Sequence, residues 1–145
     1  MAEDKQFFVG QKAFIRKGDE VLVLFDPRIG LDFPGGKIQE GENDFDEALR
    51  REVREETGLE IEIGAPFHRW YFEFGAGHRN AGKQVFLVGF KCAYRSGEIK
   101  LSDEHDSFRW VSKDTYRELD RGDGDEYFRA LEKYFEDQRV NPGNK

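Results

Sequence analysis

A single cysteine, Cys92, occurs in 145 residues, so no intrachain disulfide can form and no metal site built on several cysteines is available. No apolar run approaches the ~18 residues a membrane span needs. Positive charge is in deficit: 23 Lys and Arg against 30 Asp and Glu give a net charge of −7 and a pI of about 5.1. That balance argues against a nucleic-acid footprint and against a charge-driven membrane role. The N-terminus, Met1-Ala2-Glu3-Asp4, is acidic and lacks an apolar run, so no secretory signal is expected and the cytoplasm is the expected location. Internal repeats, low-complexity stretches and linkers are also missing, which leaves one domain over 1–145 with 1–5 and 140–145 frayed. What is present suits a globular chain: 37% charged and 37% hydrophobic residues, a mean hydropathy of −0.80, and 14 Phe within an aromatic content of 14%. Disordered chains are poor in such side chains.

Along the chain, Gln6 to Arg16 and the apolar run Val21-Leu22-Val23-Leu24-Phe25 flank the turn residues Lys17-Gly18-Asp19-Glu20, which predicts a hairpin with a buried second strand. Asp26-Pro27-Arg28-Ile29-Gly30 reads as a loop. Asp44 with Glu47 three residues on predicts a capped helix to about Thr57, and Gly58 stands where a left-handed C-terminal cap belongs. Strands are expected at Leu59 to Ile63, Phe67 to Phe74, Val85 to Tyr94 and Phe108 to Val111, with a long hairpin loop at Gly75 to Gly82. Asp114 to Leu119 and Glu126 to Gln138 read as helical, the latter with Phe128, Leu131 and Phe135 on one stripe. One α+β or α/β domain follows.

The glutamate-rich helix carries the chemistry. At 100° per residue, Phe45, Ala48, Leu49 and Val53 define an apolar arc. Glu52 and Glu56 fall inside that arc and Glu55 at its edge, whereas Glu47, Arg50 and Arg54 lie opposite. A solvated polar face accounts for the second group and not for the first. Carboxylates turned toward a core are costly, and Glu52 and Glu56 repel each other at i, i+4 by roughly 0.2–0.5 kcal/mol. A divalent cation relieves both problems, and oxygen ligands suit Mg²⁺ or Mn²⁺; a buried ion-pair network is the competing reading. An acidic protein handling a phosphate substrate would need such a cation. Arg51 is positioned to orient a carboxylate through a charge-assisted bond. Gly35-Gly36, directly upstream, lets the backbone turn sharply and approach a ligand.

Arg51-Glu52-Val53-Arg54-Glu55-Glu56-Thr57-Gly58-Leu59 matches the second half of the Nudix box, and Gly36 followed after five residues by Glu42 matches the first. The sequence resembles Nudix (MutT-like) hydrolases over nearly its whole length. It departs from the pattern once: eight residues rather than seven separate Glu42 from Arg51, an insertion ahead of the helix that leaves the spacing of Glu52, Glu55 and Glu56 intact. The resemblance implies an α/β fold, an α/β/α sandwich around a mixed β-sheet in a single domain. It implies Mg²⁺-dependent (or Mn²⁺-dependent) hydrolysis of a nucleoside diphosphate linked to another group, with a small-molecule nucleotide as substrate and a homodimer as one possible assembly. Glu55 and Glu56 would be the principal metal ligands, Glu52 a further ligand or general base, and the Gly36 region would add a backbone carbonyl. Glu104, in Ser102-Asp103-Glu104-His105-Asp106, is either a later-loop carboxylate joining this set or a solvated loop acid, with Asp103 and Asp106 as rivals.

The segment Phe33-Pro34-Gly35-Gly36-Lys37-Ile38 is similar to that of MutT-type enzymes that remove oxidised guanine nucleotides, but Phe25-Asp26 stands where those carry paired arginines. The loop Asp103-Glu104-His105-Asp106 with Arg109-Trp110 is similar to one in GDP-mannose hydrolases, whose box is degenerate while this one is complete. A nucleoside triphosphate or modified nucleotide leads; nucleotide sugars, ADP-ribose, dinucleoside polyphosphates and a non-catalytic nucleotide-binding role remain as alternatives. His68, His78 and His105 share no ligand spacing and read as surface or packed residues, His105 being kept for its place beside Glu104. Cys92 reads as a buried thiol. Trp70, Tyr71 and Phe72 could stack on a base, but about half of them should fill the core by strand alternation; Arg28, Arg79 and Lys83 could clasp phosphates, though ordinary loop cations are the favoured reading.

Overall fold

The computed structural model describes residues 2–137. The anticipated hairpin is formed by β1 (Phe8–Lys17) and β2 (Glu20–Asp26), closed where Lys17 pairs with Glu20. Two short strands follow that sequence patterning does not reveal, β3 (Gly30–Asp32) and β4 (Gly35–Lys37). Three residues are too few to show a period of two. Helix α1 spans Phe45–Thr57, then come β5 (Glu60–Glu73), β6 (Gln84–Ser96) and β7 (Ser107–Ser112). The two strands expected between Leu59 and Phe74 are one long strand, interrupted by register shifts on either side of Pro66. The helix expected from Asp114 is a single 3₁₀ turn, Tyr116–Leu119, and α2 covers Glu126–Glu136. The expected helix end at Gln138 and the frayed 140–145 lie outside the described residues.

One mixed sheet holds all the strands in the order β3-β2-β1-β6-β5, with β4 also on β1 and β7 on β2. β1 is its axis. It runs parallel to β6 from Phe8↔Val85 to Arg16↔Ala93, and its other edge is shared by β2 at one end and β4 at the other. Alternation sorts the apolar side chains onto the two faces. Ala13, Ile15, Leu22, Leu24 and Cys92 meet Leu49 and Val53 of α1, while Phe14, Val21, Val23, Val85 and Leu87 meet Phe128, Leu131 and Tyr134 of α2. A helix on each face of a mixed sheet is the α/β/α sandwich. Fully burying a side chain such as Leu49 or Val53 contributes about 1.5–3 kcal/mol, so packing on the sheet is what holds α1 in place. Its ends are set locally: Asp44 Oδ1 accepts from the Glu47 amide at 3.1 Å, and Gly58, in the left-handed region, donates to the Arg54 carbonyl. Among the described residues no helix is long and apolar enough to cross a membrane.

Gly35 positions the site. Its φ is 139°, and a Cβ there would lie 1.9 Å from the Gln11 carbonyl oxygen of β1. No other residue fits so close to a neighbouring backbone. Gly35→Ala should therefore destabilise the protein by about 2–4 kcal/mol, read as a lower urea midpoint; an unchanged midpoint would contradict the close contact of β4 with β1.

Candidate functional site

Helix α1 aims its glutamates in three directions. Glu56 is 4% exposed and its Oε1 accepts from the Gly35 amide at 2.7 Å. Glu52, next along the arc, is half-buried against Gly36, where any Cβ would meet its carboxylate at 2.8–3.0 Å. Glu55 stands at the rim with 60% of its side chain exposed. Arg51 gathers the rest. Its Nη2 reaches Glu42 Oε2 at 2.9 Å and Glu52 Oε1 at 3.1 Å, and its Nη1 reaches Glu55 Oε2 at 3.0 Å. Glu42 also accepts from the Gln39 amide, so the extra residue ahead of the helix is absorbed without loosening Glu42 from Arg51. On the opposite side Arg54 pairs with Glu47, as a solvated face would.

A loop is laced over the C-terminal end of α1. The Lys100 amide donates to the Thr57 carbonyl at 2.9 Å, the Ser102 amide to the Glu56 carbonyl at 3.2 Å, and the Asp106 amide to the Phe25 carbonyl at 3.1 Å. These bonds carry Glu104 and His105 to Glu56. Ligand atoms of the three residues lie within 4.8 Å of one another. His105 is buried, with Nε2 2.9 Å from Asp32 Oδ2, and Asp32 Oδ1 lies 3.0 Å from Lys12 Nζ. His105 Nδ1 is buried, lies 3.6 Å from Glu56 Oε2 and has no hydrogen-bond partner among the described residues.

Burial sets the electrostatics. It pushes Glu56 up to about 8, with Asp32 and Glu104 adding to the effect and Lys12 and the Gly35 amide opposing it. Burial also raises Glu52, against the pull of Arg51. For Asp32 burial opposes ionisation, but Lys12 and the His105 hydrogen bond outweigh it and hold the carboxyl below its ordinary range. Lys12 is desolvated in turn, yet Asp32, Tyr127 and Glu56 keep its ammonium well above its ordinary value. The buried ion pairs of Lys12, Asp32 and His105 thus lie directly behind the carboxylates of Glu56 and Glu104.

The site opens into a cavity of about 250 Å³ lined by residues of α1, the sheet, its loops and α2. Glu52, Glu56 and Glu104 share that lining with Lys37, Arg79 and Arg28 and with Phe72, Phe74 and Tyr127. Partial burial and the neighbouring Lys83 and Arg79 lower the Lys37 ammonium. Arg28 is paired with Asp26 at 3.2 Å. Two of the cations read as ordinary loop residues, Arg28 and Arg79, are therefore cavity residues, and His78 stacks on Phe74 at 4.3 Å beside them. The strand aromatics divide: Trp70 is core, Tyr71 is exposed and Phe72 reaches the cavity. Cys92 is buried, its thiol pushed up to about 12 by burial.

Sequence reasoning missed Lys12 and Asp32. Both carried a signal, as single charges within apolar segments: Lys12 beside Ala13-Phe14-Ile15, and Asp32 between Leu31 and Phe33. The donor chemistry fits a divalent cation. Buried Glu56 faces a second carboxylate and a nitrogen without a partner, and oxygen-rich sets with an added imidazole are ordinary ligand fields for such ions.

The NUDIX domain family model matches residues 6–131. Curated relatives include the nucleoside triphosphatase NudI of Klebsiella pneumoniae subsp. pneumoniae, 29% identical over 100 residues, covering 61% of this chain and 69% of that one. NudI of Escherichia coli O139:H28 is 27% identical over 118 residues, covering 77% and 68%. Among solved structures, the MutT protein from Methanosarcina mazei Go1 is similar with a TM-score of 0.71 at 28% identity, covering 93% of this chain and 96% of that one. With the family model spanning most of the chain and the fold reproduced in a solved relative, the chain belongs to the NUDIX family and is a Nudix hydrolase.

Proposed function

We propose that the chain is a divalent-cation-dependent pyrophosphohydrolase acting on a nucleoside triphosphate or modified nucleotide and releasing a nucleoside monophosphate. Mg²⁺ is the expected ion, with Mn²⁺ as a substitute. The observation that carries the reading is one cavity whose lining combines Glu52, Glu56 and Glu104 with Lys37, Arg79, Phe72 and Phe74. Carboxylates alone would repel a polyphosphate, and cations alone would bind it without cleaving it. The nucleoside triphosphatase activity in the names of the NudI relatives agrees with this reading.

Glu56 and Glu104 would hold the cation, with Glu52, Glu55 and the Gly36 carbonyl as further donors. When bound, it supplies neutralisation of phosphate charge and a water of lowered pKa. Glu52 is the proposed general base. Half-buried and raised by desolvation, it is a better proton acceptor than a solvated carboxylate, and its hydrogen bond to Arg51 fixes its direction. Arg51 also holds Glu55 and Glu42 and acts through them as a positioning residue. Lys37 and Arg79 would bind phosphate oxygens, and Phe72 or Phe74 would offer a face for the base.

With excess Mg²⁺ and a panel of nucleoside triphosphates, oxidised guanine nucleotides, nucleotide sugars, ADP-ribose and dinucleoside polyphosphates, product analysis should show cleavage of triphosphates to monophosphates that stops on chelation. Exclusive cleavage of another class would replace the substrate assignment. Glu52→Gln should lower kcat by about 10²–10⁴-fold with the melting temperature nearly unchanged; full activity would remove Glu52 from the chemistry.

A pH dependence follows from Glu56. Its pKa in the folded, cation-free protein is about 8, against an ordinary 4.5, so between those values the folded state keeps a proton that the unfolded chain has lost. The contribution of Glu56 to stability in chelator should be fully present below about 4.5 and be lost as pH rises through about 8. Glu56→Gln, which retains an acceptor for the Gly35 amide, should flatten that slope in urea titrations; an identical slope in the variant would exclude Glu56 as its source.

A further inference from the structure

The ring of His105 is held at one end and unsatisfied at the other. Asp32 Oδ2 accepts from Nε2–H at 2.9 Å, and Asp32 is itself anchored by Lys12. Held from behind in this way, the ring has a fixed direction and turns Nδ1 toward Glu56 Oε2. The 3.6 Å between Nδ1 and that oxygen is too long for a hydrogen bond, and among the described residues Nδ1 finds no other partner although the side chain is only 1% exposed. A buried polar atom left in that state is destabilising. Its separation from Glu56 suits another occupant. Two donors about 2.1 Å from a common ion lie roughly 3.0–3.5 Å apart at ordinary coordination angles, and the Glu104 carboxylate is within 4.8 Å of both.

We propose that His105 donates Nδ1 to the divalent cation held by Glu56 and Glu104, with Asp32 and Lys12 fixing the ring from behind. The proposal rests on the reading of this site as a cation site and adds a nitrogen to a donor set that the Nudix box alone would make from oxygen. The alternative grouping of Asp26, Asp32 and His105 through its other nitrogen is already neutralised, by Arg28 on Asp26 and by Lys12 on Asp32. The interleaving of His105 with Glu104 in one tightly tied loop gives both donors the same support: the Ser102 amide on the Glu56 carbonyl and the Asp106 amide on the Phe25 carbonyl. An imidazole nitrogen shifts preference toward Mn²⁺, Co²⁺ and Zn²⁺ relative to Mg²⁺, which favours oxygen and its own waters.

The test uses the full chain loaded with Mn²⁺ alone. Pulsed electron paramagnetic resonance of bound Mn²⁺ should show a ¹⁴N coupling of the size of a directly coordinated imidazole, and His105→Gln should abolish it. In parallel titrations the variant should lose at least about tenfold in Mn²⁺ affinity and less in Mg²⁺ affinity. Mn²⁺ bound without ¹⁴N coupling in the unaltered protein, or a coupling that survives His105→Gln, would overturn the proposal while leaving the cation site standing. No Mn²⁺ binding at all would overturn both this proposal and the reading of the site on which it rests. If the variant folds poorly, the absence of a ¹⁴N coupling in the unaltered protein still overturns the proposal, and His78→Gln, which should leave the coupling in place, excludes the imidazole that lines the cavity.

Discussion

The hydrogen bond from the Gly35 amide to Glu56 Oε1, 2.7 Å long, joins the two halves of the molecule's chemistry. On one side it ties α1 to β4 and, through β4, to the central strand β1. On the other it takes a carboxylate that the helix periodicity turns inward and gives it a reason to be there. The bond requires Gly35 to press against Gln11, which only glycine can do, and it requires Glu56 to give up solvent. Once Glu56 is desolvated, its neighbours are constrained in turn: Lys12 must stay charged nearby, Asp32 must hold Lys12, and His105 must hold Asp32.

That sequence of constraints explains why so many charges are buried in a small sheet. Replacing a buried ion pair by apolar residues is often neutral or stabilising, so the Lys12–Asp32–His105 arrangement is poor evidence of stability for its own sake. Its effect is directional. Each member has one partner behind it, and the last atoms in the row, on Glu56 and His105, face the same small volume. Arg51 does the equivalent for the outer carboxylates, where one guanidinium fork sets the orientation of Glu42, Glu52 and Glu55 together. Rigid support of this kind is what a reactive site needs to hold its groups within fractions of an ångström.

Much of this was legible in the sequence. The hairpin, the caps of α1 at Asp44 and Gly58, and the inward turn of Glu52 and Glu56 all follow from local rules, because each depends on residues within a few positions of one another. The strand β4 and the positions of Lys12 and Asp32 do not. Lys12 is near Glu56 only because β1 pairs with β4, and Asp32 meets His105 only because the loop after β6 folds back over α1. Such juxtapositions are set by topology, and no periodicity within a window reports them. The cavity cations were legible only as candidates: Arg28 and Arg79 could be seen as loop cations able to clasp a phosphate, but the fold alone brings them into one cavity with the carboxylates.

The long strand β5 has a consequence of a different kind. It is fourteen residues long and lies at the end of the sheet, with no strand paired to its outer edge among the described residues. A flat edge of that length is a template on which other chains can add strand after strand. Pro66 removes one amide from its middle, and the register shifts on both sides of it bend the ladder. The unbroken row of donors and acceptors that amyloid-like growth requires is thereby cut into short pieces, so the irregularity near Pro66 is a protection against aggregation built into the longer of the two sheet edges.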